Sequence, residues 1–142
     1  MSLNGPIICV EDDEDDQFLI QHALQQLGVA NPIRFFSNGQ DALDHLLTMT
    51  QQPFLILCDI NMPLLNGIEL RQQITDNAYL REKAIPFVFL TTAANMQTVQ
   101  QAYKQMVQGF YKKASSVEGI QQQLKHIVEY WQGCLHPNSV IE

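Results

Sequence analysis

Five short apolar runs recur along the chain, and between each pair lies a stretch with helical spacing. The runs are PIICV (6–10), IRFF (33–36), FLILC (54–58), FVFL (87–90) and GFYK (109–112). Each is strand length and rich in β-branched or aromatic residues. The intervening apolar residues fall on single helical stripes: Ile20, Ala23, Leu24 and Leu27; Ala42, Leu43, Leu46 and Leu47; Ile68 and Ile74; Val99, Ala102, Tyr103, Met106 and Val107. A last stripe runs from Val117 through Ile120, Leu124, Ile127 and Val128 to Trp131. Strand–helix repeated five times predicts an α/β doubly wound fold, a five-stranded parallel sheet with five helices on its two faces. The third and fourth runs have no polar residue, as strands covered on both faces should.

The 142 residues suit one domain, expected over 1–132 with a short tail at 133–142. A net charge of −7 argues against a general nucleic-acid or membrane-surface binder, since both want a basic patch. No apolar run approaches the roughly 20 residues of a membrane span, and no secretory signal is visible, so a cytoplasmic location is expected. Cys9, Cys58 and Cys134 have no zinc-type spacing and are read as reduced thiols, the first two in the core.

Open parallel sheets bind ligands at the carboxyl ends of their strands. The chemically capable side chains fall there. Glu11 and Asp12 follow the first run, Asp59 the third, Thr91 the fourth and Lys113 the fifth. Polar residues commonly end strands, so each alone is weak; the set on one rim is much stronger. Two carboxylates about 4 Å apart repel by roughly 4 kcal/mol at an effective dielectric near 20. Converging Glu11, Asp12 and Asp59 would therefore call for a cation, and an all-oxygen set with open positions suits Mg2+. Lys113 adds a fixed positive charge. Magnesium, a lysine and a carboxylate nucleophile together form a phosphoryl-transfer site.

The segments IICVEDDEDD, LILCDINMPLLNGIEL, IPFVFLTTAA and GFYKKAS, in this order and spacing, resemble the response-regulator receiver domains of two-component signalling, over about residues 5 to 131. The resemblance implies a flavodoxin-like sheet of order 2-1-3-4-5. It implies Asp59 as phosphoacceptor, Asp12 as direct metal ligand, Glu11 acting through water, and the backbone carbonyl of Asn61 completing the Mg2+ site. Thr91 matches the switch hydroxyl, Phe110 the aromatic that reorients with it, and Lys113 the site lysine. Pro63 and Gly67 match a turn in which glycine permits a close or left-handed backbone. A core aromatic that never moves is an equal reading of Phe110. The chain has no histidine in a site motif, so the donor phosphohistidine is expected on a sensor histidine kinase or phosphotransfer protein.

Three positions depart from the family pattern. Ala114 stands where proline usually follows the lysine, Thr92 where alanine usually follows the threonine, and Ala93 where relatives can carry a side chain that positions an attacking water. A trans peptide at Lys113–Ala114, narrowed access at Thr92, and a phosphoryl group slow to hydrolyse are expected. The chain is expected to act as a stand-alone receiver on an unknown downstream protein through a face made by the fourth helical segment, the fifth strand and the fifth helical segment, with a homodimer through that face as one arrangement. Two rivals stand beside it. A degenerate receiver would act without phosphorylation. An aspartate-nucleophile phosphohydrolase needs a second acid two residues after the nucleophile, where this chain has Asn61. Asp13 to Asp16 are assigned to the start of the first helix, as cap and dipole partners.

Overall fold

The computed structural model describes residues 2–137. After a single 3-10 turn at Ser2–Asn4 come β1 (Ile7–Val10), α1 (Glu14–Gln26), β2 (Ile33–Phe36), α2 (Gly39–Thr48), β3 (Leu55–Cys58) and α3 (Gly67–Asp76). They are followed by α4 (Ala78–Lys83), β4 (Phe87–Thr91), α5 (Met96–Lys104), β5 (Gly109–Lys112) and α6 (Val117–Gly133). All strand pairs are parallel and the order is β2-β1-β3-β4-β5, the flavodoxin-like arrangement.

Period-two alternation sorts the strands onto two cores. Ile7, Cys9, Leu55, Leu57, Val88 and Leu90 meet Ile20 and Leu24 of α1 and Ile120, Leu124 and Ile127 of α6. Ile8, Val10, Ile56, Cys58, Phe87 and Phe89 face the other way, onto Ala42, Leu46, Leu70, Ile74, Leu80 and Ala102. The central strands are therefore buried on both sides. Truncating one of their large residues to alanine would cost about 2–5 kcal/mol.

The helix count corrects the sequence reading: among the described residues there are six α-helices, not five. The added one, α4, is a six-residue segment, AYLREK. Asn77 is both the C-cap of α3 and the N-cap of α4, and its side chain accepts from Leu80 N. One asparagine thus ends one helix and starts the next within the same loop. Strand ends also shift. Pro6 lies outside β1, and its carbonyl accepts the Phe54 N–H at 2.9 Å. Thr91 is the last residue of β4 rather than the residue after it. Gly28 ends the α1 region with φ +72, the left-handed conformation glycine adopts without steric cost.

The expected tail begins inside α6, and one residue of its described part packs on the body while Leu135 beside it is exposed. His136 is fully buried, with Nε2 2.7 Å from the Phe54 carbonyl oxygen and its ring stacked on Phe54. Residues 138–142 of the expected tail lie outside the described residues.

Candidate functional site

Parallel strands bring their carboxyl ends to one rim, and the register decides what meets there. Val10 pairs with Cys58, so the next residues, Glu11 and Asp59, emerge side by side. The Asp59 N–H donates to the Val10 carbonyl at 2.9 Å, and the Glu11 N–H to Phe36 at 2.8 Å. Both backbones are therefore extensions of the sheet, and both side chains are buried at its edge.

The acids converge. Glu11, Asp12 and Asp59 each offer a carboxylate oxygen, all within 4.8 Å of one another. Asp12 is exposed while its two neighbours are buried, so the group opens to solvent on one side. Hard oxygen donors with an open face suit a divalent cation that keeps part of its water shell.

Asp59 is held on both oxygens. Oδ1 accepts the Ile60 N–H at 2.7 Å and the Thr91 hydroxyl, and Oδ2 accepts from Lys113 Nζ at 3.3 Å. Thr91 is fully buried, and its hydroxyl oxygen accepts the Ala93 N–H at 3.2 Å. Beneath Asp59, Gly67 donates its N–H to the Ile60 carbonyl at 2.8 Å. A Cβ on Gly67 would run into the Asp59 carbonyl oxygen and the Phe89 ring, so of the two expected roles the structure shows the close approach and not the left-handed backbone.

Lys113 reaches the rim from the end of β5. Its N–H donates to the Thr91 carbonyl at 2.9 Å, continuing the strand pairing. Its ammonium contacts Glu11 at 2.5 Å, Asp16 at 2.7 Å and Asp59 at 3.3 Å. Burial works to lower the Lys113 pKa, but the bonds to Asp16 and Glu11 and the charge of Asp59 hold it above the ordinary lysine value. Burial pushes Glu11 up to about 7, against the pull of the hydrogen bond from Lys113.

Asp16 is the residue missed in the sequence. It is not only a helix-dipole partner: it pairs with Lys113 across 97 positions of chain. The capping role belongs to Asp13, whose Oδ1 accepts from Asp15 N at 2.8 Å and Asp16 N at 3.1 Å. Asp16 is the third residue of α1 after the Asp13 cap, in the first turn of the helix, which starts beside the rim. With Asp16, four acidic side chains gather around one ammonium.

The remaining candidates are placed less centrally. Asn61 is exposed, two residues past Asp59. Phe110 is half-buried in β5, its ring 5.7 Å from that of Phe89 and packed on the core. Thr92 is exposed and lines a cavity of about 200 Å³ together with Asp16, Lys113 and Ser116. The peptide bond before Ala114 is trans, as expected, and Lys113 still reaches Asp59.

The receiver domain of response regulators matches residues 7–125 of this chain. The chain belongs to that family. The receiver is 33% identical over 131 residues to FilR2 of Methanothrix harundinacea, described as a probable methanogenesis regulatory protein, with 89% of this chain and 83% of FilR2 aligned. Its fold is similar to that of the phosphorylated cyanobacterial phytochrome response regulator RcpA, at a TM-score of 0.85 and 29% identity, covering 94% of this chain and 98% of RcpA. It is similar also to the Mn(2+)-bound form of the response regulator Rcp1, at a TM-score of 0.83 and 27% identity, covering 93% of this chain and 98% of the other. Receiver domains are signalling modules rather than enzymes acting on other substrates. Among the described residues of this receiver, no helix is long and apolar enough to cross a membrane.

Proposed function

We propose that this receiver takes a phosphoryl group onto Asp59 from a phosphohistidine of a sensor histidine kinase or phosphotransfer protein, and that the modified state changes a protein-binding face. The observation that carries the reading is the environment of one carboxylate: Thr91 on Oδ1, Lys113 on Oδ2, and two further acids within metal-bridging distance. A carboxylate oxygen of Asp59 attacks phosphorus, the nitrogen–phosphorus bond of the donor breaks, and the imidazole leaves with its electron pair. In this reading Lys113 meets charge on the phosphoryl oxygens, and the Thr91 hydroxyl turns from Asp59 to the same group. Glu11, Asp12 and Asp59, with the Asn61 carbonyl, are the groups to hold Mg2+. When bound, the ion offsets the charge of the acids and of the incoming phosphoryl oxygens. That relatives were solved phosphorylated and with Mn2+ supports the reading.

The output face is assigned to α5, β5 and α6. Tyr103, Phe110, Tyr111, Tyr130 and Trp131 line one cavity spanning those three elements. Met96, Tyr103, Met106 and Tyr130 are exposed. Exposed Tyr103 and Tyr130 lining the same cavity make an apolar patch of the kind that takes part in protein contacts. A second copy of this chain or a downstream protein is the expected occupant.

The test is incubation with Mg2+ and acetyl phosphate, followed by intact-mass measurement. A gain of one phosphoryl group that disappears in Asp59→Asn is expected. A chain that gains no mass and binds no Mg2+ acts instead as a phosphorylation-independent interaction module.

A further inference from the structure

The loop that carries Lys113 is fixed by one side chain that belongs to neither strand nor loop. Gln123 sits two turns inside α6, beside the buried Ile120 and Leu124. Its Nε2 donates to the Lys112 carbonyl at 2.6 Å, and its Oε1 accepts the Ala114 N–H at 3.1 Å. A single carboxamide therefore brackets Lys113 from both sides.

This matters because a side chain is aimed by the two peptide planes that flank its Cα. The plane before Lys113 is pinned twice. Its carbonyl is held by Gln123, and its N–H by Thr91 at 2.9 Å. The plane after Lys113 is pinned at the Ala114 N–H, again by Gln123. With both planes held, φ and ψ of Lys113 are set, and so is the direction of its Cα–Cβ bond toward Glu11, Asp16 and Asp59. Proline at position 114 would have no N–H to give, so the arrangement depends on a residue such as alanine there. α6 is itself fixed, with Ser116 capping its N-terminus and its apolar stripe packed on the sheet.

We propose that Gln123 is a positioning residue for phosphoryl transfer: it sets the backbone of Lys113 and so aims the ammonium at the acceptor. The proposal rests on the reading of Lys113 as the cation that meets the phosphoryl group. Gln123 touches neither Asp59 nor the metal-binding acids, so its loss should slow the reaction while sparing the metal site.

Gln123→Met keeps the length of the side chain and removes both hydrogen bonds. Four quantities are read: the acetyl phosphate phosphorylation rate, Mg2+ affinity by calorimetry, melting temperature, and hydrogen exchange at the Ala114 and Ile120 amides. The expected result is a rate about five- to tenfold lower with no loss of Mg2+ affinity. Exchange should be faster at Ala114 but not at Ile120, which bonds to the Ser116 carbonyl. Gln123→Glu keeps the acceptor for Ala114 and loses the donor to Lys112; an intermediate rate is expected. If Gln123→Met reacts at the wild-type rate, the positioning role is overturned. If rate, Mg2+ affinity and Ile120 protection fall together, the residue is merely structural and the proposal is equally overturned. Lys113→Ala separates the two layers: a Lys113→Ala protein that is phosphorylated at the wild-type rate removes the underlying reading of the site, whatever Gln123 does.

Discussion

Lys113 stands 2.7 Å from Asp16 on α1 and 3.3 Å from Asp59, so its nearer partner of the two is the acid that the sequence hides inside a run of like residues. The pair ties the end of β5 to the first turn of α1. It also shares out the lysine's charge, part of which would otherwise oppose a cation held by Glu11, Asp12 and Asp59.

Asp16→Asn should therefore weaken Mg2+ binding by about two- to fivefold, the range expected for a partly exposed ion pair. Asp15→Asn, which changes a carboxylate outside the Lys113 ion pairs, should leave affinity within error. Titration calorimetry on both variants checks this. Equal affinities in the two would remove Asp16 from the site.

Gly67→Ala should cost about 1–3 kcal/mol of stability, because the new methyl must displace backbone under Asp59. It should also slow phosphorylation, since that backbone carries Asp59, the proposed acceptor. Gly28→Ala makes the contrast. The space there is open but φ is +72, so a cost of about 1–2 kcal/mol and normal phosphorylation are expected. Urea unfolding and acetyl phosphate kinetics measure both.

The acyl phosphate should persist for longer than seconds. Ala93 contributes its N–H to the Thr91 hydroxyl and has no polar side-chain atom to hold an attacking water. Ala93→Glu should shorten the lifetime severalfold. A half-life of seconds in the unaltered chain would contradict the expectation.

Thiol reactivity should divide the cysteines. Burial pushes the Cys9 and Cys58 thiols well above the ordinary range, with Glu11 and Asp59 nearby adding to the effect. Cys134 is only half-buried. A thiol reagent at neutral pH should label one cysteine in the folded protein and three after denaturation. Fast labelling of Cys9 or Cys58 would show that this part of the sheet opens.

His45 should make the protein less stable in mild acid. Burial, with help from Arg34, lowers its pKa below the ordinary 6.5. The folded state therefore binds its proton less readily than the unfolded chain. Stability is fully present above about pH 6.5 and is lost as pH falls through the folded-state value. Its Nε2 is buried without a hydrogen-bond partner, and its ring lies 4.9 Å from Phe36. His45→Phe should flatten that slope. Denaturant unfolding at several pH values measures it, and parallel slopes in the two proteins would rule His45 out as the cause.

The sheet was legible in the sequence because its three central strands are covered on both faces and read as unbroken apolar runs, while the edge strands β2 and β5 keep an apolar majority around Arg34 and Lys112. The rim was legible for a related reason: the first polar residue after a buried strand has to be the one at its end. What escaped were features set by phase or by single contacts. Asp16 stands among six consecutive acids, where composition masks the spacing, and only the position of the Asp13 cap fixes which acid turns inward. The helix α4 has six residues and one buried apolar side chain, Leu80, apart from the lysine Lys83, too little for a period to show. Gln123 reads as one glutamine in a row of three; only the fold shows that one of them reaches the lysine loop.

The burial of His136 on Phe54 has a practical consequence. Phe54 precedes β3, at the pole of the sheet opposite the acids, and its N–H meets the carbonyl of Pro6 just before β1. The path into the first strand and the path out of the last helix thus converge on one spot, far from the rim. A fluorophore, a bead or a fused carrier attached on that side would leave the acidic end facing solution.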